Sequence, residues 1–126
     1  MYRAFGLLQP KSDFTLSAAT ERLKARFPQL TVERNEDRIT LSGSDWDYYL
    51  AFVTGDFVKT ESEQFAERIA GIEDGADIVA CDRRVEVWSD TPDPFMEHFD
   101  DHFQVLDVLR TFNGVILIDP NEPSLL

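Results

Sequence analysis

The chain has 126 residues, 43% of them hydrophobic, and carries 24 acidic against 12 basic side chains, a formal net charge of −12. This size fits one domain over 1–126 with a single core, and Cys81, the only cysteine, excludes an internal disulfide. The acidic charge argues against nucleic acid, because phosphate binding needs a basic surface. The sequence shows neither a long apolar run nor an export signal, so we expect a cytoplasmic protein without membrane association.

The first half of the chain predicts a strand, a helix and three further strands. Residues 2–8 are a short apolar run ended by a proline, which suits a strand. Apolar residues recur on one face across 15–28 with charges opposite, the pattern of an amphipathic helix. In 30–42 two alternating segments flank a polar link, which indicates a β-hairpin, and the aromatic run 46–55 predicts the next strand.

The second half begins with a predicted helix. Thr60 followed three residues later by Glu63 is a capping-box pattern, and Gly71 would end that helix. Residues 72–81 fit a further helical turn as well as a strand, and both alternatives stay open. The alternation of valines with polar residues across 83–89 predicts a strand.

A third helix and a last strand complete the prediction. Asp93 before Pro94 has the pattern of an N-cap followed by proline, and apolar residues at spacings of three and four continue the helix to Phe112. The apolar run 114–120 predicts a central strand buried on both faces. The order β-α-β-β-β-α-(β)-β-α-β predicts an α+β fold, with helices covering one face of a largely antiparallel mixed sheet.

Both histidines, His98 and His102, lie one helical turn apart in the acidic stretch 90–106. Their spacing matches the zinc-protease motif H-E-x-x-H, but Phe99 replaces its general-base glutamate. A helical wheel places both rings beside the core and most carboxylates toward solvent, so we favour neutral histidines at the core edge. The alternative is a small metal-dependent hydrolase that uses both histidines. A third ligand for it would come from Asp82, Asp90 or Asp93.

Other candidate chemistry is sparse, and we predict neither catalytic residues nor a cofactor. Asp47 is a carboxylate with aromatic neighbours, but a turn residue at a strand start explains it. Cys81 lies near Arg83 and Arg84, and we interpret it as a structural thiol. The two arginines either pair with carboxylates of the acidic last third of the chain or hold an anionic ligand. The glycines are scattered and form no phosphate-binding motif.

The acidic charge is concentrated at the end of the chain. Residues 1–84 carry 15 acids and 11 bases, whereas 85–126 carry nine acids and Arg110 as the only base. Such a surface attracts basic proteins, so we predict a non-enzymatic domain that binds a basic partner. A homodimer formed through an apolar patch is a further alternative. The predicted contact residues are Asp90, Asp93, Glu97, Asp100, Asp101 and Asp107.

Three stretches carry a resemblance to known proteins: CDRRVEVWSD (81–90), HFDDHFQVLDVL (98–109) and GVILIDP (114–120). They resemble a C-terminal layout that recurs in small acidic α+β proteins of bacteria. Some comparable proteins are immunity proteins that neutralise polymorphic toxins. The resemblance implies a non-enzymatic inhibitor, in which surface carboxylates complement the basic cleft of a toxin. It covers about a third of the chain and implies no individual site residue.

Overall fold

The computed structural model describes residues 2–69 and 75–126. Over these residues the strands are β1 (Arg3–Leu8), β2 (Thr31–Asn35), β3 (Arg38–Ser42), β4 (Asp47–Thr54), β5 (Arg83–Trp88), β6 (Val115–Asp119) and β7 (Ser124–Leu125). The helices are α1 (Leu16–Arg26), α2 (Asp56–Arg68), α3 (Gly75–Val79) and α4 (Phe99–Arg110).

All the described strands join one antiparallel sheet in the order β2-β3-β4-β5-β1-β6-β7. The predicted α+β class with a largely antiparallel sheet is therefore confirmed. The last apolar run forms β6, an inner strand one place from the edge, which pairs with β1 on one side and with β7 on the other. Its buried residues Leu117 and Ile118 lie in two different core clusters, so the predicted burial on both faces is confirmed. The inner strand with the most buried residues is β1, which pairs with β5 on one side and β6 on the other.

Helices cover both faces of the sheet, so the prediction of a single covered face was wrong. Ala4 and Leu8 of β1 join the main core, which includes buried residues of α1 and α4. Phe5 points the opposite way and packs edge-on against Phe65 of α2, with ring centroids 6.0 Å apart. Phe5 and Phe65 belong to a second buried cluster on this face, which also contains Ile78 of α3. The cause is the consecutive apolar run of β1, which leaves two apolar faces to bury.

The second predicted helix begins earlier than its capping-box pattern indicates. It starts at Asp56, and the Thr60 hydroxyl lies inside the helix and donates to the Asp56 carbonyl at 3.3 Å. Gly71, the predicted end, lies outside the described residues. Of the ambiguous segment 72–81, the described part contains helix α3.

Candidate functional site

The third predicted helix, in contrast, begins later than the sequence indicates. The candidate functional site lies at the start of this helix. Helix α4 begins at Phe99, and a turn over 93–98 precedes it, with Met96 at a φ of +56°. The side chain of Asp93 caps this turn: it accepts the backbone N–H groups of Glu97 and His98, both at 2.9 Å. Asp93 thus caps backbone N–H groups as predicted. The residues that it caps form a turn before the helix, however, and not the first turn of the helix itself.

Asp93 also ties this turn to the start of the chain. The Tyr2 hydroxyl donates to its carboxylate at 2.6 Å. Burial and the contact with Asp93 raise the pKa of Tyr2 to about 12. Burial alone would raise the pKa of Asp93, but the Tyr2 hydrogen bond and the two backbone N–H groups lower it by more, so the net shift is downward. The carboxylate is therefore ionised at neutral pH and acts as the anchor of the turn.

His98 is the last residue of this turn and contacts the loop that connects β3 to β4. Its ring stacks on Trp46 of that loop, with centroids 4.7 Å apart and planes inclined by 7°. Nδ1 lies 3.1 Å from the Asp101 carboxylate, and Nε2 lies 3.4 Å from that of Asp45. Burial lowers the pKa of His98, but the Asp101 hydrogen bond and the nearby carboxylate charges outweigh it, so the pKa is raised. Because His98 precedes the helix, the helical wheel misplaced its ring.

His102 has the opposite surroundings. Its side chain is buried, and its ring stacks on Tyr2 with centroids 5.1 Å apart. Nδ1 is hydrogen-bonded to the Tyr48 hydroxyl, which lies in the core. Burial lowers the pKa of His102 to about 4 and raises that of Tyr48 well above its usual value. The phenol therefore donates to a neutral imidazole, which is the core-edge histidine that the sequence predicted.

The two histidines do not share a set of ligands. Asp45, Glu97 and His98 can each offer one ligand atom, and these atoms lie within 4.8 Å of one another. His102 is outside this group, and its Nδ1 is engaged by Tyr48. A hydrolase that uses both histidines would need ring nitrogens of both to bind one metal ion. Here His98 contacts Asp45 and Asp101, whereas His102 contacts Tyr48. Sequence reasoning missed the contact with Asp45, because a distant loop contributes it and no local spacing indicates it.

The predicted acidic surface divides into engaged and exposed carboxylates. Asp93 caps the turn, Asp101 contacts His98, and Asp107 pairs with Arg110 of its own helix at 3.1 Å. The three exposed members that make none of these contacts are Asp90, Glu97 and Asp100. These three are therefore the carboxylates of the predicted surface that can meet a partner without breaking an internal contact.

Apolar side chains accompany these carboxylates, and the sequence analysis missed their exposure. Phe95 is 83% exposed, Met96 57% and Phe103 44%. The predicted helix placed the two phenylalanines on its core-facing stripe, but Phe95 lies in the turn before α4. Phe103 packs edge-on against Phe99, with centroids 4.7 Å apart. We call the set Asp90, Phe95, Met96, Glu97, Asp100 and Phe103 the acidic–aromatic surface.

The remaining candidates, Cys81 and Arg84, are buried and are engaged in contacts within the protein. Cys81 is buried, and its thiol donates to the Asp77 carbonyl at 3.3 Å. Burial, followed by nearby carboxylates, raises its pKa to about 12, so the thiol is a poor nucleophile at neutral pH. Arg84 is buried and pairs with Glu61 and Glu86, at 2.7 and 2.8 Å. Glu86 lies in the acidic last third of the chain, as the pairing alternative predicts, whereas Glu61 lies on α2, outside that region.

Comparisons of the chain with protein-family models, with characterised proteins and with solved structures find no match. Over 2–69 and 75–126, each helix falls short of the length and apolar content needed to cross a membrane. The resemblance to immunity proteins stays a prediction. The site is therefore interpreted from the contacts of its own residues.

Proposed function

We propose that the protein is a non-enzymatic cytoplasmic domain that binds a basic protein through the acidic–aromatic surface. The observation that carries this proposal is Phe95, whose ring is 83% exposed in a turn that hydrogen bonds hold in place. A single exposed aromatic ring is common on proteins. An exposed Phe95 followed by the exposed Met96, in a stretch whose exposed carboxylates include Glu97 and Asp100, has the composition of a contact surface with an aromatic anchor.

The turn is also suited to binding because it is already ordered. Asp93 accepts two backbone N–H groups and the Tyr2 hydroxyl, so the backbone on both sides of Phe95 is held in place. Immobilising a flexible loop costs free energy on association, and a preformed turn avoids much of that cost. The hydrogen bonds of Asp93 therefore support a role for the turn as a preorganised contact.

Charge favours a basic partner over a second copy of the chain. Asp90, Glu97 and Asp100 are exposed, and the region 85–126 carries nine acids against one base. In a symmetric dimer the same carboxylates would face one another, and their repulsion would weaken the contact. A basic surface would instead be attracted over about 8 Å at physiological salt. An immunity-type inhibitor with a basic toxin cleft as its target is one specific form of this proposal.

The test begins with capture of a partner by the wild-type protein, followed by titration of the purified partner. We expect Phe95→Ser to weaken the complex by about 2 kcal/mol, or roughly 30-fold in Kd, as for a central aromatic anchor. The matched control is Phe57→Ser, because Phe57 is 52% exposed and lies on α2. The control should leave the Kd unchanged. Equal affinity of the wild type and Phe95→Ser would contradict the proposal.

A second pair of variants separates a specific acidic surface from general charge. We expect Asp90→Lys combined with Asp100→Lys to slow association and to reduce its dependence on salt. Glu63→Lys combined with Glu67→Lys makes the same change in net charge on α2 and should leave association close to wild type. Equal slowing in both double variants would mean that only the net charge of the protein matters.

A further inference from the structure

Side chains from two separate segments of the chain converge beside Trp46. Asp45 comes from the loop between β3 and β4, whereas Glu97 and His98 come from the turn before α4. Potential ligand atoms of these three residues lie within 4.8 Å of one another, and both carboxylate residues are exposed. The group is therefore open to ions from solvent and joins two parts of the fold.

We propose that Asp45, Glu97 and His98 bind a divalent transition-metal ion, with zinc as the ion that best fits these donors. One imidazole and two carboxylates supply three protein ligands, and water would complete a tetrahedral shell. Imidazole favours zinc over magnesium or calcium, which prefer sites made of oxygen alone. The inference concerns an ion site that the proposed protein binding does not require.

The spacing of two of the three donors suits a shared ion. Nε2 of His98 lies 3.4 Å from Oδ1 of Asp45. Two ligands that each lie about 2.1 Å from a tetrahedral ion are about 3.4 Å apart, so an ion could sit between these atoms with little movement. The observed separation is longer than a short charge-assisted hydrogen bond of about 2.8 Å.

The second ring nitrogen of His98, Nδ1, contacts a carboxylate, as the second nitrogen of metal-binding histidines commonly does. Nδ1 of His98 lies 3.1 Å from Asp101, a carboxylate outside the ligand group. A proton held on Nδ1 leaves the Nε2 lone pair directed toward Asp45, the arrangement of a carboxylate–histidine–metal unit. Trp46, itself 3% exposed, stacks on the ring and fixes its plane. Asp101 and Trp46 thus act as positioning residues for the ligand.

The experiment titrates the chelator-treated full-length protein with zinc chloride by isothermal calorimetry. We expect saturable binding of one ion per chain, about 100-fold weaker in His98→Ala and about tenfold weaker in Asp101→Asn, since ligand and positioning losses both reduce affinity. The matched control is Asp100→Asn, which changes the neighbouring exposed carboxylate and should bind as the wild type does. Magnesium chloride should produce no comparable binding.

A second variant keeps the test valid if His98→Ala disturbs the turn. Asp45→Asn changes an exposed loop residue and should weaken zinc binding about tenfold while the unfolding curve stays that of the wild type. Absence of saturable zinc binding would overturn the proposal and leave His98 as the centre of an ion pair. Wild-type affinity in Asp45→Asn and His98→Ala would overturn it as well. Glu97 belongs both to the ion site and to the acidic–aromatic surface, but neither result would affect the protein-binding proposal, because its tests change Phe95, Asp90 and Asp100, and none of these is a ligand.

Discussion

Two neighbouring regions of the acidic stretch, the turn over 93–98 and helix α4, have similar composition and opposite surroundings. The turn exposes Phe95 and places the raised-pKa His98 among carboxylates. The helix buries His102, which forms a neutral contact with Tyr48 in the core. Residues of the same types thus differ in role according to whether the backbone has entered the helix. We expect the buried face of the helix to determine stability, and the turn together with the exposed side chains on either side of it to determine binding.

The largest expected difference concerns stability. His102→Ala removes a buried ring and leaves the Tyr48 hydroxyl without its partner, so we expect the free energy of unfolding to fall by about 3 kcal/mol. His98→Ala removes a partly exposed ring and should cost about 1 kcal/mol. Urea unfolding curves of both variants measure this difference. Equal losses would show that the two histidines are not distinct in role.

The next effect is the pH dependence of stability. Folding lowers the pKa of His102 from 6.5 to about 4, so between these values the unfolded chain binds the extra proton. The stability from the neutral ring is fully present above pH 6.5 and is lost as pH falls toward 4. Between pH 7 and 5 the loss should reach about 2 kcal/mol. The sign for His98 is opposite, because its pKa is raised in the folded state.

The control for this pH effect is His102→Gln, whose amide oxygen can accept the Tyr48 hydroxyl without titrating. Unfolding free energies of both proteins at several pH values give the difference. We expect the variant to lose less stability than the wild type over the same range. Parallel curves would contradict a neutral buried His102.

The smallest effect is a change in the titration of one ring. Asp101→Asn removes a charge and a hydrogen-bond acceptor from Nδ1 of His98, so we expect the pKa of His98 to fall toward its ordinary value. The pKa of His102 should stay unchanged, since burial is what lowers it. Histidine proton resonances followed by NMR as a function of pH report both rings at once. A shift at His102 without one at His98 would contradict these environments.

The sequence predicts strands β1 to β6 well because their signals are local, whereas the two-residue strand β7 is too short to carry such a signal and was missed. Alternating apolar and polar residues mark β2 and β3, and the predicted link between them closes as the turn Glu36–Asp37. The sequence also contained a signal that both sheet faces are covered, namely the consecutive apolar residues of β1. A strand with two apolar faces needs helices on both sides, and the prediction did not apply that requirement.

The site is less predictable because it depends on contacts between distant segments. The Asp93–Pro94 pattern indicates a cap but not how many residues the cap spans, so the exposure of Phe95 was missed. The contact of His98 with Asp45 and Trp46 arises only when the β3–β4 loop meets the turn. A helical wheel describes residues inside one helix and carries no information about contacts between that helix and a distant loop.

The most direct test of the separation between turn and helix is to measure Phe95→Ser for both stability and partner affinity. We predict an unfolding free energy within about 0.5 kcal/mol of the wild type, because the ring is 83% exposed. We predict together with it a Kd for the purified partner that is roughly 30-fold weaker. Wild-type affinity with unchanged stability, or a large loss of stability, would contradict the account of the turn as a preformed contact surface.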